Sequence, residues 1–118
     1  MILYTQNDFT ERTGIDISAD VRPDGITSDR QADAYIQIWK EDVYEIANKF
    51  PSRINSDKLN ERQIEAIKKA ITDYGLLCWR KGYVKNDPQL YDLAVRNAYT
   101  TLKDNGIIGN GFKGTSRY

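Results

Sequence analysis

The residue types that most often carry chemistry are scarce in this chain. There is no histidine among its 118 residues, which excludes imidazole general bases, Ser-His-Asp and Cys-His arrangements and histidine metal ligands. A single cysteine, Cys78, cannot close an intrachain disulfide, so a disulfide-built secreted scaffold is excluded too. Cys78 lies in the apolar run Leu76-Leu77-Cys78-Trp79, with Arg80 and Lys81 just beyond. A nucleophilic thiol needs exposure, an electropositive setting and a base; an apolar run points to a buried structural thiol instead. Carboxylate pairs occur at Glu41-Asp42 and at Glu61 with Glu65. Each stands beside Lys or Arg, and each reads as a solvated helix face rather than an acid/base pair. Asp16, Asp20 and Asp24 recur every fourth residue, which misses the alternating ligands of a calcium loop, and no bidentate Glu closes such a loop. Gly106-Ile107-Ile108-Gly109-Asn110-Gly111 lacks the Lys-Ser/Thr of a phosphate loop and any helix behind it. The expectation from these residues is a protein that is not an enzyme.

As a whole, a chain of 118 residues makes one small domain. Hydrophobic residues form 40% and aromatics 11%, and 17 Lys+Arg balance 17 Asp+Glu. Without net charge to repel itself, such a chain is expected to fold. No stretch approaches a membrane span, and Met1-Ile2-Leu3-Tyr4 leads into polar sequence rather than a signal peptide, so a soluble protein in a reducing compartment is expected. The charges are unevenly placed. Residues 1–45 hold ten acids and four bases, net −6, while residues 46–118 hold seven acids and thirteen bases, net +6. Either the halves neutralise each other inside one fold, or an acidic face meets the basic face of a neighbouring copy, as head-to-tail association requires.

Capping signals and periodicity predict an all-α fold: a compact four-helix domain over residues 1–108, one short helix followed by three longer ones, with a flexible, extended C-terminal tail over 109–118. Thr5 with Asp8 starts the first helix, Phe9 is its main apolar residue, and Thr13-Gly14 ends it. A long first loop covers residues 15–27, with Ile15, Ile17 and Ala19 permitting a short extended piece; a loop of this length suits binding. Ser28 with Gln31 opens the second helix. Ala32, Tyr35, Ile36, Trp39, Val43, Ile46, Ala47 and Phe50 form one stripe before Pro51. Ile38 and Tyr44 lie off that stripe, either as isolated exposed residues or as a subunit contact. Asn60 with Gln63 opens the third helix, which runs to about Lys81 and stops at Gly82. Its second half, including Leu76 and Leu77, is apolar nearly all round, so it must be covered by other helices or by another chain. Asp87-Pro88 opens the fourth helix, whose apolar face is Leu90, Tyr91, Ala94, Val95, Ala98 and Leu102, and Asn105-Gly106 closes it. Beyond it, Phe112, Arg117 and Tyr118 are residue types enriched at binding surfaces, in a tail that is either a free end or one that orders on docking.

A small helical DNA-binding or regulatory protein is the alternative function. The helix-turn-helix pattern it would need is poorly met. Residues 82–87 are longer than the usual turn, and the fourth helix offers Arg96 and Lys103 with Asp92 and Asp104 beside them.

The order of small phrases along the chain carries a resemblance. Asp8-Phe9 and Thr13-Gly14-Ile15-Asp16 in a short first helix precede a loop and an aromatic-bearing helix from Tyr35 to Phe50. Leu59-Asn60-Glu61-Arg62-Gln63-Ile64-Glu65-Ala66-Ile67-Lys68-Lys69-Ala70-Ile71 comes next, then Tyr74 and a stop at Gly82. Over residues 4–106 this resembles the head-tail connector (adaptor, or head-completion) proteins of tailed bacteriophages. The resemblance implies a helical domain that forms a homo-oligomeric ring, usually dodecameric, beneath the portal protein. Such a ring joins the capsid to the next tail-side connector or stopper protein. It surrounds the channel through which DNA passes without sequence-specific contact. It implies a place in the virion, with host cytoplasm during assembly, and neither enzyme activity nor a cofactor. On this footing Ile38, Tyr44, Leu76 and Leu77 are the expected subunit interface, and Phe112, Arg117 and Tyr118 the expected portal contacts.

Overall fold

Local capping chemistry sets where the helices begin and end. In the computed structural model, which describes residues 1–18, 29–54 and 58–109, the helices are α1 (Gln6–Thr13), α2 (Asp29–Ala47), α3 (Glu61–Lys81) and α4 (Pro88–Asp104). The Thr5 amide donates to Asp8 Oδ2 at 2.8 Å, and Gly14 ends α1 at φ 77°. At α3 the capping box is complete: the Gln63 amide donates to Asn60 Oδ1 at 2.8 Å, and the Asn60 amide donates to Gln63 Oε1 at 3.1 Å. Asp87 Oδ1 accepts from the amides of Gln89 and Leu90, with Pro88 in the first helical position of α4. The expected cap of α2, Ser28, lies outside the described residues.

Two boundaries differ from the expectation. Helix α2 stops at Ala47 rather than at Pro51, because the chain tightens: the Lys49 and Phe50 amides reach back three residues, to Ile46 and Ala47. Residues 15–18 form no extended piece. Asp16 Oδ1 accepts from the amide and hydroxyl of Ser18, bending the chain into a turn that drops Ile17 into the core. The remainder of the expected 15–27 loop from residue 19 onward lies outside the described residues.

Helix α3 is the central element, packing against α1, α2, α4 and a 3-10 turn at Val84–Asn86. That explains its apolar second half: the covering comes from this chain's own helices. Trp39 and Phe9 are fully buried, with ring centroids 5.2 Å apart. They meet α3 at Gly75, where a built Cβ would stand 2.5 Å from Trp39 Cε3 and 3.1 Å from Phe9 Cε1. The missing side chain is what lets α1 and α2 approach α3 this closely. At the far end of α3, Arg62 Nε donates to Asn105 Oδ1 at 3.1 Å, tying the end of α4 down. Gly106 (φ 71°) then turns the chain so that Ile107 and Ile108 are buried. A single antiparallel bridge, Ser52 to Ile108, completes the fold, flanked by Arg53 N to Ile107 O at 2.8 Å and Gly109 N to Pro51 O at 2.7 Å. The described residues hold no other β-pairing.

Replacing Gly75 by Ala forces the Trp39 ring out of place. We expect G75A to lose about 1–3 kcal/mol, the usual cost of overpacking a filled core, as measured by urea unfolding. Unchanged stability would contradict the close packing at Gly75.

Candidate functional site

The described surface exposes few large apolar side chains, and two of them share one groove. Ile38 is 40% exposed and Tyr83 is 38% exposed. They line a groove of about 350 Å³ together with Tyr35, Trp39, Cys78, Gly82 and Asn86. The α2 wall is the edge of the apolar stripe, and the opposite wall is the end of α3 and the 3-10 turn. Gly82 (φ 90°) breaks α3 there and swings Tyr83 across toward α2. An apolar, aromatic lining with a few polar groups is the usual make-up of a binding cleft.

Tyr83 is held in place by a buried carboxylate. Asp42, 6% exposed, accepts at Oδ2 from the Tyr74 hydroxyl at 2.6 Å and the Tyr83 hydroxyl at 2.7 Å. Lys85 Nζ stands 3.2 Å from Asp42 Oδ1 and 3.2 Å from Glu45 Oε1. Three donors on one carboxylate satisfy a charge that burial would otherwise penalise heavily. This corrects the expectation that Glu41 and Asp42 share a solvent face: Glu41 is exposed and Asp42 is not. The signal was present in the sequence, because Asp42 falls inside the stripe three residues after Trp39 and four before Ile46. A lone acid in an apolar stripe requires partners, and those partners lie more than thirty residues away.

Burial pushes the Tyr83 hydroxyl up to about 12, with the hydrogen bond to Asp42 adding to the rise. Tyr74 is raised too, by burial first and Asp42 next. Burial opposes the charge on Lys85, but the Asp42 and Glu45 carboxylates outweigh it and hold the ammonium above its ordinary value. At neutral pH every donor in the cluster is therefore protonated and aimed at one carboxylate. Such a cluster fixes a position rather than moving a proton.

The structure separates the expected interface residues. Ile38 stands on the groove. Tyr44 is buried, its hydroxyl accepting from the Ile2 amide at 2.8 Å, so its off-stripe position is covered by this chain's own first residues. Tyr4 strengthens that cover by sharing a hydrogen bond with Thr72 Oγ1 at 2.6 Å. Leu77 is half-buried in the seam between α3 and α4, near Ala94, Asn97 and Ala98. Leu76, its neighbour in sequence and about 100° around the helix, is half-buried against the core. The four residues form no common patch. Phe112, Arg117 and Tyr118 lie outside the described residues.

The other candidates are engaged locally. Glu65 meets Arg12 at 2.6 Å, and that hydrogen bond lowers its pKa. On α4, Arg96 pairs with Asp92 and Lys103 lies over the Tyr99 ring, so the face expected to read DNA presents no unbroken basic stripe. Cys78 is buried and forms no disulfide. Among the described residues no cluster of potential metal ligands occurs, and no helix is long and apolar enough to cross a membrane. Comparison with protein-family models, with curated proteins and with solved structures finds no match for this chain.

Two measurements test the clamp. Asp42→Ala strands two hydroxyls and an ammonium and should cost about 3 kcal/mol, whereas Tyr83→Phe, which removes one donor, should cost about 1–2 kcal/mol; equal losses in urea unfolding would contradict the arrangement. A phenol raised in the folded state contributes stability that is intact below its ordinary pKa of 10.0 and is lost as pH climbs through about 12. Tyrosinate absorbance of the folded protein should therefore lag that of the urea-unfolded chain between about pH 10 and 12, and stability should fall over the same interval. Coincident titrations would contradict it.

Proposed function

We propose that this chain is a structural protein of the head-tail connector type. Copies assemble into a ring beneath the portal of a tailed bacteriophage, join the capsid to the next tail component and line the path of the outgoing DNA. The observation that supports this reading most is the apolar groove at Ile38, exposed among the described residues beside an acidic helix edge on an all-α domain. A surface of this kind suits a partner, and the cluster behind it fixes a position rather than moving a proton.

The uneven charge supports the same reading. On α2, Ile38, Glu41, Asp42 and Glu45 occupy one flank, while Arg53 and Arg62 stand exposed at the other end of the domain, beside Ile107 and Asn105. Opposite charges on different faces of one subunit favour a heterologous contact, and heterologous contacts form a ring where the rotation between copies closes. The residues that carry the resemblance are also those that start and stop helices here: Asp8, Gly14, Asn60, Gln63 and Gly82.

The reading is tested by negative-stain electron microscopy of the purified protein, alone and mixed with the portal protein of the same genome. Rings, or an added collar on the portal, are expected. A protein that leaves the portal unchanged and instead binds duplex DNA in a salt-dependent way would overturn the reading in favour of a DNA-binding regulator.

A further inference from the structure

We infer that the Ile38 groove is filled by residues 110–118 of a neighbouring copy of this chain, with the Phe112 side chain of that segment seated between Ile38 and Tyr83. The inference rests on the reading that copies of the chain associate, and it names the contact between them.

Three observations lead to this occupant. The first is chemistry. The groove is walled by Tyr35, Trp39 and Tyr83 with Ile38 and Cys78, a lining that suits a flat aromatic ring. Residues 110–118 read Asn-Gly-Phe-Lys-Gly-Thr-Ser-Arg-Tyr, with two aromatics among small residues that let backbone approach closely.

The second is charge. The α2 flank of the groove carries Glu41, Asp42 and Glu45 against the single base Lys85, and is net acidic. The segment carries Lys113 and Arg117 and no acid. The opposite wall leads to Arg80 and Lys81, so the segment's bases are directed to the α2 side. The other segment outside the described residues near this end of α2, residues 19–28, bears Asp20 and Asp24 against Arg22 in its first six residues and has no aromatic. It is the poorer match.

The third is reach. Gly109 is fixed to Pro51, and Asn105, shortly before it, is tied to Arg62 and Gln63 in the first turn of α3. The groove lies at the other end of that helix, at Cys78 and Gly82. From Gln63 to Cys78 is about 22 Å of helix at about 1.5 Å per residue. The three residues from Gly109 to Phe112 span at most about 10 Å. Phe112 therefore cannot enter its own groove, and the groove it enters belongs to another copy. Each copy then offers one groove and one segment, a head-to-tail contact.

Intermolecular paramagnetic relaxation tests this on the full chain. A nitroxide is placed on Ser116→Cys in unlabelled protein, with nitroxide-treated unsubstituted protein as the control for Cys78, which is buried. This is mixed at millimolar concentration with isotope-labelled protein that carries no nitroxide. The expected result is selective signal loss in the labelled copy at Ile38, the Trp39 indole, Gly82 and Tyr83. That loss should disappear when the labelled copy carries Ile38→Asp, a change at an exposed position, or when the nitroxide copy carries Phe112→Ala. No intermolecular signal loss overturns the inference. So does loss at a different surface, or loss seen only when nitroxide and isotope share one copy. Signal loss at the groove without rings on the portal would overturn the connector reading alone; rings without loss at the groove would overturn this contact alone.

Discussion

The contact of Trp39 with Gly75 is the constraint on which the remaining structure depends. The indole is fully buried and touches Phe9 on one side and the bare backbone of α3 on the other. Because no Cβ intervenes, α1 and α2 lie close on α3, and the helix axes are fixed by the thickness of one ring. That spacing sets the later contacts along both helices. One turn beyond Trp39, Asp42 meets Tyr74, the residue next to Gly75. One turn beyond Gly75, Cys78 and then Gly82 face Tyr35 and Ile38 across the groove.

Burying a carboxylate next to an apolar core is costly unless its partners are already in place. Here the partners come from α3 and from the segment between α3 and α4, so the clamp forms only when all three have come together. It also holds the exposed face of Tyr83 steady. A docking surface gains affinity when its side chains lose little freedom on binding. The groove is thus pre-organised by a cluster that itself stays behind the surface. The same division appears at the other end of the domain, where Arg62, Gln63 and the Ser52–Ile108 bridge fix the point from which the chain runs on past Gly109.

Much of this is legible in the sequence wherever the physics is local. Asn60 with Gln63, Thr5 with Asp8, and Asp87 with Pro88 satisfy helix-end amides within three residues, and their spacing alone announces them. The stripe from Ala32 to Phe50 gives the buried face of α2 because a helix repeats faithfully. The illegible features depend on distant partners. Tyr44 stands off the stripe as an exposed residue would, but Ile2, forty-two residues earlier, covers it. Asp42 shows in the sequence as an acid inside an apolar stripe, but its donors do not, because Tyr83 and Lys85 come to it only after α3 has folded back. Ile38 and Tyr44 look alike in the sequence, and only the positions of Gly82 and Tyr83 set Ile38 on a groove while Tyr44 is buried.

We propose that this groove is the face through which the domain meets its own kind. Amide hydrogen exchange, compared between dilute and concentrated protein, tests it most directly. The amides from Gly82 to Asn86 are expected to become protected on assembly, together with α2 amides around Ile38, while the α3–α4 seam at Leu77 and the buried core exchange as before. Unchanged exchange at Gly82–Asn86, with new protection confined to another surface, would contradict it.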